Sequence, residues 1–146
     1  MSDTIGNAPP AGPPWIDPEI QQKIEWRDGD VVISVPPKSG TTWTMNIVYQ
    51  LVTGGAADFR DIYEQVPWIE FLGFPGQPHQ EVVDRVAAMP VVPRRAFKTH
   101  SAPPSVPFIA DGSDRDVKYI VVFRNPEEAL VSFKPFLEKH SDAWFG

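Results

Sequence analysis

Residues 31–43 read Val31-Val32-Ile33-Ser34-Val35-Pro36-Pro37-Lys38-Ser39-Gly40-Thr41-Thr42-Trp43. The β-branched run at their start predicts a buried strand at about Val31–Val35, and a tight loop leads from it into a helical pattern. The first N–H groups of a helix have no partner within that helix, and the helix dipole adds partial positive charge there. A strand, a loop and a helix start in this order predict a binding site for an anion such as phosphate.

The residue types of this loop fit an anion. Gly40 allows the backbone to approach a ligand closely, Lys38 carries a full positive charge, and Ser39, Thr41 and Thr42 offer hydroxyl donors. A helix cap needs a single hydroxyl, so this set favours ligand binding over an ordinary cap. The loop differs from the ATP-binding pattern GxxxxGK(S/T), because Lys38 precedes Gly40 by two positions instead of following the glycine.

The helix after the loop is predicted by an apolar face and an end signal. Its apolar positions at helical spacing are Trp43, Ile47, Val48, Leu51 and Val52. The pair Gly54-Gly55 is typical of a helix C-terminus and predicts that the helix ends there.

Composition limits the class of protein. The 146 residues suffice for one domain with a core, and 42% hydrophobic with 22% charged residues is typical of soluble globular proteins. A net charge of −6 argues against a general nucleic-acid binder. The absence of cysteine excludes disulfides, thiolate metal sites and cysteine nucleophiles. No apolar stretch approaches the roughly 18 residues of a membrane span, and the N-terminus lacks signal-peptide regions, so we expect a cytoplasmic protein without a membrane partner.

Further elements follow from local patterns. Residues 1–25 are expected to be a disordered or loosely packed arm with a short helix at about Asp17–Ile24. The other predicted helices lie at about Arg60–Gln65, at Gln80–Met89, and from Pro126 onwards, where Asn125 is the cap and Pro135 kinks or ends the helix. The other predicted strands are Arg95–Thr99 and Val117–Phe123. The apolar run in the last strand predicts a position near the centre of the sheet.

Strands that alternate with helices predict a three-layer α/β fold with a central parallel sheet. In such sheets, ligands bind beyond the carboxyl ends of the strands. The first strand leads to Lys38, the second ends in Lys98 and His100, and the third ends at Arg124. One edge of the sheet is therefore expected to carry these four side chains together.

Three segments of the chain together resemble the cytosolic sulfotransferases that use 3′-phosphoadenosine 5′-phosphosulfate (PAPS). Residues 37–43 resemble the family's 5′-phosphosulfate loop, and residues 97–100 resemble the strand end that carries the catalytic histidine. Residues 119–126, followed by 131–133, resemble the motif for the 3′-phosphate. The resemblance implies a P-loop NTPase-like fold and makes residues 26–146 the N-terminal part of a sulfotransferase domain.

The same resemblance implies roles for individual residues. As catalytic residues, Lys38 would stabilise the leaving phosphate, Lys98 would polarise the sulfuryl group, and His100 would accept the proton of the acceptor. The residues implied to bind the donor are Lys38, Ser39, Gly40, Thr41, Thr42, Trp43, Arg124 and Ser132; among them Trp43 would stack on adenine, and Arg124 and Ser132 would hold the 3′-phosphate. PAPS would be the co-substrate, 3′,5′-bisphosphate adenosine the product, and the arrangement requires no metal.

Several side chains have two interpretations from sequence. Trp43 either stacks on adenine or packs in the core, and Arg124 either binds phosphate or pairs with Glu127 or Glu128. The aromatic residues Trp68, Phe71 and Phe74 either line an apolar acceptor pocket or pack under a loop. His79 and His140 have no motif around them and are expected at the surface.

The chain also departs from the family pattern. Members of the family continue after the 3′-phosphate motif and carry an Arg-Lys-Gly segment, which this sequence lacks. We therefore expect a domain truncated after the third strand–helix unit. The predicted function is sulfuryl transfer to a hydroxyl or amine of a small acceptor, with an apolar or aromatic acceptor bearing a hydroxyl favoured. The alternative is a non-catalytic remnant that binds nucleotide weakly or needs the missing C-terminal half. A P-loop kinase is disfavoured by the displaced lysine and the lack of an evident aspartate for Mg²⁺.

Overall fold

The computed structural model describes residues 15–92, 94–102, 105–106, 109 and 115–140, with only the backbone of His140 described. Its helices are α1 (Glu19–Gln22), α2 (Thr41–Val52), α3 (Ile62–Gln65), α4 (His79–Ala87) and α5 (Pro126–His140). Its strands are β1 (Val31–Ser34), β2 (Ala96–Thr99) and β3 (Lys118–Val121). All the predicted helices and strands in the described part are present, so the α/β prediction is confirmed.

The three strands form one parallel sheet with the order β2-β1-β3. In the register, Ser34 of β1 lies opposite Thr99 of β2 and Val121 of β3. The prediction that the third strand lies near the centre is wrong for the described residues, because β1 holds that place and Val121 is 53% exposed. An apolar run indicates burial only where neighbours cover it, and among the described strands β3 pairs with β1 alone.

Helices cover both faces of the sheet, as a three-layer fold requires. On one face, Val31 and Ile33 of β1 pack in a cluster with Met45 and Val48 of α2 and Ile62 of α3. On the other face, Val32 packs with residues from loops, α4 and β2: Ile24, Trp26, Ile69, Val86 and Phe97. Alternate residues of β1 thus point to opposite faces, which is why its sequence is a continuous apolar run.

Helix α2 faces the sheet with a different stripe from the predicted one. Met45 and Val48 are buried, whereas Trp43 is 74% and Leu51 73% exposed. The predicted apolar face was therefore partly wrong, since two adjacent stripes of this helix are apolar and periodicity alone did not separate them. The predicted end is confirmed: Gly54 and Gly55 both have positive φ, and their amides donate to the carbonyls of Leu51 (3.2 Å) and Gln50 (2.7 Å).

The two ends of the described chain agree with expectation only in part. Residues 1–14 of the predicted arm lie outside the described residues. Helix α1 is not loosely packed, because Ile20 is fully buried beside Leu72 and Val82. At the other end, the Asn125 side chain accepts a 2.9 Å hydrogen bond from the Glu127 amide, which confirms the cap. Helix α5 continues past Pro135 to His140, because a proline removes one hydrogen bond of a helix and does not forbid its continuation.

Candidate active site

The polar ends of the three strands meet at one edge of the sheet, as predicted. Arg124, after β3, donates a 2.7 Å hydrogen bond through Nη1 to the backbone carbonyl of Lys38. On the other side of the loop, Nδ1 of His100 lies 2.5 Å from the carbonyl oxygen of Val35. The loop after the central strand is therefore held by residues from both neighbouring strand ends.

The loop leaves the start of α2 open to a ligand. Gly40 is the residue before the helix, with φ 87°, and it has no side chain that caps the first amides. The first hydrogen bond of the helix runs from the Thr44 amide to Gly40, so the amides of Thr41, Thr42 and Trp43 have no partner within the helix. Apart from Gly40 itself and its two chain neighbours, no atom of the described residues lies within 4 Å of the position that a Cβ of Gly40 would occupy. Open N–H donors and free space at a helix start are the features of an anion-binding site.

Lys38 has an unusual backbone conformation. Its φ is 61°, in the left-handed region that residues other than glycine rarely adopt. Its ammonium lies 5.0 Å from the centroid of the Phe136 ring of α5, at a distance at which a cation and an aromatic face attract each other.

Lys98 is buried, with 2% of the residue exposed. Its Nζ lies 3.3 Å from the centroid of the Trp68 ring and 5.7 Å from that of Tyr63. Burial lowers the pKa of Lys98 from 10.5 to about 7, because a charged ammonium loses solvation; the negative charge of Glu70 acts in the opposite direction. A lysine poised in this way gains or loses its charge near neutral pH.

The ring of His100 is fixed in one tautomer. A carbonyl oxygen only accepts, so Nδ1 donates its proton to Val35, and the lone pair of the neutral ring is on Nε2. Burial, and secondly the charge of Lys98, lower the pKa of His100 from 6.5 to about 4, against the opposing effect of the Val35 hydrogen bond. The ring also meets Trp68 edge to face, with centroids 4.8 Å apart. The His100 ring is therefore neutral at physiological pH, and Nε2 is the nitrogen that carries the lone pair.

The sequence model for the sulfotransferase domain matches residues 28–143, most of the chain. This chain belongs to the sulfotransferase family. A glycolipid sulfotransferase of Mycobacterium tuberculosis (strain ATCC 25177 / H37Ra) is 38% identical over 109 residues, which cover 75% of this chain and 30% of that protein. Sulfotransferase 1A1 of Mus musculus is 32% identical over 121 residues, 81% of this chain and 39% of that protein. Sulfotransferase 6B1 of Danio rerio is 29% identical over 126 residues, 84% of this chain and 39% of that protein.

The family confirms the predicted fold class, since the sulfotransferase domain is P-loop NTPase-like and the described strands form its parallel sheet. The chain spans less than half the length of the curated relatives it matches. Across the described residues, no helix combines the length and apolar character needed to cross a membrane.

Of the other residues predicted to bind the PAPS donor, only some contact the loop between β1 and α2. Arg124 pairs through Nε with Glu128 at 3.3 Å, so that alternative is confirmed, and its phosphate role stays a prediction. Trp43 does not pack in the core, because it lies exposed on α2 beside an open apolar groove. Ser132 is half-buried on α5. Ser39 is buried, and the Thr42 hydroxyl lies 3.0 Å from that of Tyr63.

Trp68 belongs to the site of this sulfotransferase domain. It contacts Lys98 and His100 and stacks on Phe71 with centroids 4.9 Å apart. Phe74, in contrast, is 51% exposed. The sequence left the role of these aromatic residues open, because no spacing pattern connects residues 68–74 with the end of β2.

Sequence reasoning missed Tyr63 and Glu70. Tyr63 connects the loop to the buried lysine, through its hydroxyl beside Thr42 and its ring near Lys98. Glu70 is fully buried, and its Oε1 accepts hydrogen bonds from the Thr99 hydroxyl (2.9 Å) and the His100 amide (2.7 Å). A single glutamate in a loop gives no sequence signal of such a role. One hint in the sequence is the order Trp-Ile-Glu after a proline. In an extended segment, successive side chains point to opposite sides, so Trp68 and Glu70 lie on the same side.

His79 was expected at the surface but is half-buried between two charged groups. Its Nε2 lies 2.9 Å from Asp17, and Lys23 Nζ lies 3.0 Å from its Nδ1. In the described part of the chain, Asp17, Glu19 and His79 have ligand atoms within 4.8 Å of one another. The ammonium of Lys23 already occupies the other nitrogen of His79, so this cluster is explained by hydrogen bonds within the protein. The side chain of His140 is not among those described.

Proposed function

We propose that this chain binds PAPS and transfers its sulfuryl group to a hydroxyl or amine of a small acceptor. The observation that carries the proposal is the fixed tautomer of His100. Its Nδ1 is bound to the carbonyl that precedes the anion loop, so that Nε2 is a free base beside Lys98 and close to the loop. A base, a buried cation and an anion-binding helix start are the three groups that such a transfer needs.

The donor is expected to bind at the start of α2. The open amides of Thr41 to Trp43 and the hydroxyls of the loop suit its 5′-phosphate. Lys38 would neutralise charge on the phosphate oxygen that leaves, and Trp43 has an exposed ring available to adenine. Arg124, beside the Lys38 carbonyl, and Ser132 would hold the 3′-phosphate. No step in this assignment needs a metal ion.

The chemistry is a direct displacement at sulfur. The acceptor oxygen or nitrogen forms a bond to sulfur while the bond between sulfur and the phosphate oxygen breaks, and the electron pair of that bond goes to the leaving bisphosphate. The proton of the acceptor passes to Nε2 of His100. Such transfers depend mostly on positioning and on cations near the oxygens that gain charge, which is the role we assign to Lys38 and Lys98.

The acceptor side is indicated by Trp68. Its ring and that of Phe71 form an aromatic stack beside His100, which favours an apolar or aromatic acceptor bearing a hydroxyl. A relative named as a glycolipid sulfotransferase makes a lipid-linked hydroxyl a second class worth testing. A cytoplasmic location belongs to the same proposal.

The second candidate is a chain that binds the nucleotide without turnover. It is supported by the open amides at the start of α2, which suit an anion whether or not transfer follows.

The two candidates separate in one experiment with the full chain. Sulfur-labelled PAPS is offered with a phenol and with a glycolipid, while calorimetry measures binding of 3′,5′-bisphosphate adenosine with EDTA present. Binding with transfer that is lost in His100→Ala supports the enzyme, and binding without transfer supports the second candidate. A chain that binds ATP with Mg²⁺ and shows no affinity for the bisphosphate would contradict both.

A further inference from the structure

Glu70 is the most deeply buried carboxylate beside the site, and neither the loop motif nor the assigned roles use it. It is 0% exposed. Its Oε1 accepts from Thr99 Oγ1 (2.9 Å), the His100 amide (2.7 Å), the Ser101 amide (3.3 Å) and Ser101 Oγ (3.4 Å). One carboxylate oxygen thus accepts hydrogen bonds from residues 99–101, at the end of β2 and directly after it.

The second oxygen of Glu70 is in a different situation. Oε2 is buried and has no hydrogen-bond partner among the described residues. A buried charged oxygen without a hydrogen bond is costly unless an opposite charge compensates it. The opposite charge in this region is Lys98, which is bridged to Trp68 two residues before Glu70; the negative charge of Glu70 raises the pKa of Lys98 against the effect of burial.

The backbone fixes Glu70 from both sides. Residues 67–70 run beside β2: Lys98 donates its amide to Pro67 (3.0 Å), and Ile69 donates its amide to the Lys98 carbonyl (3.2 Å). Trp68 pairs with Lys98 in a parallel bridge, so Glu70, two residues further on, is level with His100. On the opposite side, the Glu70 carbonyl accepts from the Asp17 amide (2.8 Å). The backbone of Glu70 is therefore held in place by the fold, and its carboxylate is held by the donors of residues 99–101.

We propose that Glu70 is the positioning residue of this site: its carboxylate is the counter-charge of the Lys98 ammonium and the anchor of the backbone that carries His100. The ammonium of Lys98 contacts the rings of Trp68 and Tyr63, the titratable groups that act on or respond to its charge are Glu70 and His100, and its partner in β1 is the apolar Ile33. Without Glu70, burial would lower the pKa of Lys98 further, so more of this side chain would be neutral at pH 7 and unable to polarise a sulfuryl group. The consequence for catalysis rests on the proposed function, whereas the effect of Glu70 on Lys98 does not.

The matched variants separate charge from packing. Glu70→Gln keeps an acceptor oxygen and nearly the same shape but removes the charge. Thr99→Val removes one donor to Glu70 and keeps the charge. Glu25→Gln removes an exposed carboxylate charge elsewhere and controls for net charge.

The primary measurement is the titration of Lys98 itself in the full chain labelled with ε-¹³C lysine, with Lys98→Met to assign its signal. The midpoint, near pH 7 in the unaltered chain, is expected to fall by about one pH unit or more in Glu70→Gln, the usual size of the effect of a close opposite charge. Thr99→Val and Glu25→Gln should leave it in place. Circular dichroism and a thermal melt check that each variant is folded.

An unchanged midpoint in folded Glu70→Gln would overturn the proposal. So would a fall of one pH unit or more in Thr99→Val, because this variant keeps the charge of Glu70, and that outcome can be measured even if Glu70→Gln fails to fold. The titration uses no donor, so a shift in a chain that binds no bisphosphate would refute the proposed function and leave the role of Glu70 standing. If turnover is found, the alkaline limb of kcat/KM should move down with the Lys98 midpoint in Glu70→Gln.

Discussion

The guanidinium of Arg124 donates a 2.7 Å hydrogen bond to the backbone carbonyl of Lys38, so the end of β3 directly supports the loop after β1. This contact joins two segments that are 86 positions apart in sequence. Arg124 also forms an ion pair with Glu128. This pair is exposed and contributes little to stability. The charge of Arg124 is therefore available to a phosphate at low cost.

We predict that 3′,5′-bisphosphate adenosine binds more tightly than AMP by roughly 1.5–3 kcal/mol, the size of a charge-assisted hydrogen bond. Arg124→Met should remove this preference. The same change at Arg85, exposed on α4, is the control and should retain it. Isothermal titration calorimetry measures all the affinities, and equal binding of both nucleotides to the unaltered chain would contradict the assignment of the 3′-phosphate.

His100→Ala should reduce turnover by about 10²–10⁴-fold, because it removes the general base, and leave bisphosphate affinity nearly intact. His79→Ala is the control, since His79 is hydrogen-bonded to Asp17 outside the site. Initial rates with labelled PAPS and calorimetry give the two quantities. Near-normal turnover of His100→Ala at neutral pH would place the base elsewhere.

The pH dependence of kcat/KM should be bell-shaped between about pH 4 and about pH 7. His100 must be unprotonated to accept a proton, so activity falls as the pH drops through its pKa of about 4. Lys98 must be charged to polarise the sulfuryl group, so activity falls as the pH rises through its pKa of about 7. Because these values describe the free protein, kcat/KM is the quantity to measure. A rate that keeps rising from pH 7 to 9 would show that charge on Lys98 is not needed.

Lys98 should also make stability depend on pH. Its pKa is about 7 in the folded chain and 10.5 as the ordinary value, so between these limits the unfolded chain binds the extra proton. The free energy of unfolding should therefore rise with pH in this window, by at most about 1.4 kcal/mol per pH unit. Lys98→Met should lose this rise, whereas Lys118→Met, at an exposed position, should retain it. Denaturant unfolding at pH 7.5 and 9.5 tests the sign, and parallel changes in the unaltered chain and Lys98→Met would contradict it.

The exposed apolar residues at the outer side of β3 predict that the chain self-associates. Val121 and Phe123 are 53% and 86% exposed, and an exposed apolar edge strand is a template for pairing with another chain. Val121→Lys should shift sedimentation velocity profiles toward the monomer. Val92→Lys, which adds the same charge at an exposed valine outside the sheet, should not. If the unaltered chain is monomeric at all protein concentrations, this prediction is refuted.

Features that depend on neighbours along the chain could be predicted from sequence. The end of α2 at Gly54 follows from the need for positive φ, and the cap at Asn125 follows from the need to satisfy a free amide. The convergence of Lys38, His100 and Arg124 was also predictable, because parallel strands bring their carboxyl ends to one edge.

Features that depend on distant neighbours were not predictable. The exposure of Trp43 depends on which of two apolar stripes meets the sheet, and the central position of β1 depends on pairing order. The burial of Glu70 depends on the bridge between Trp68 and Lys98, two residues separated by a long segment. The low pKa of Lys98 follows from that burial and has no counterpart in the local sequence.

The left-handed backbone of Lys38, with φ 61°, constrains any redesign of the anion loop. A residue other than glycine held in this region costs of order 1–3 kcal/mol, which the rest of the fold must offset. Removing the lysine charge by Lys38→Gly would therefore relieve strain and stabilise the chain, whereas Lys38→Ala would keep the strain. A protein engineer who wants to separate the electrostatic role of this side chain from the shape of the loop should compare these two variants with Lys38→Asn, since asparagine tolerates the conformation better than alanine.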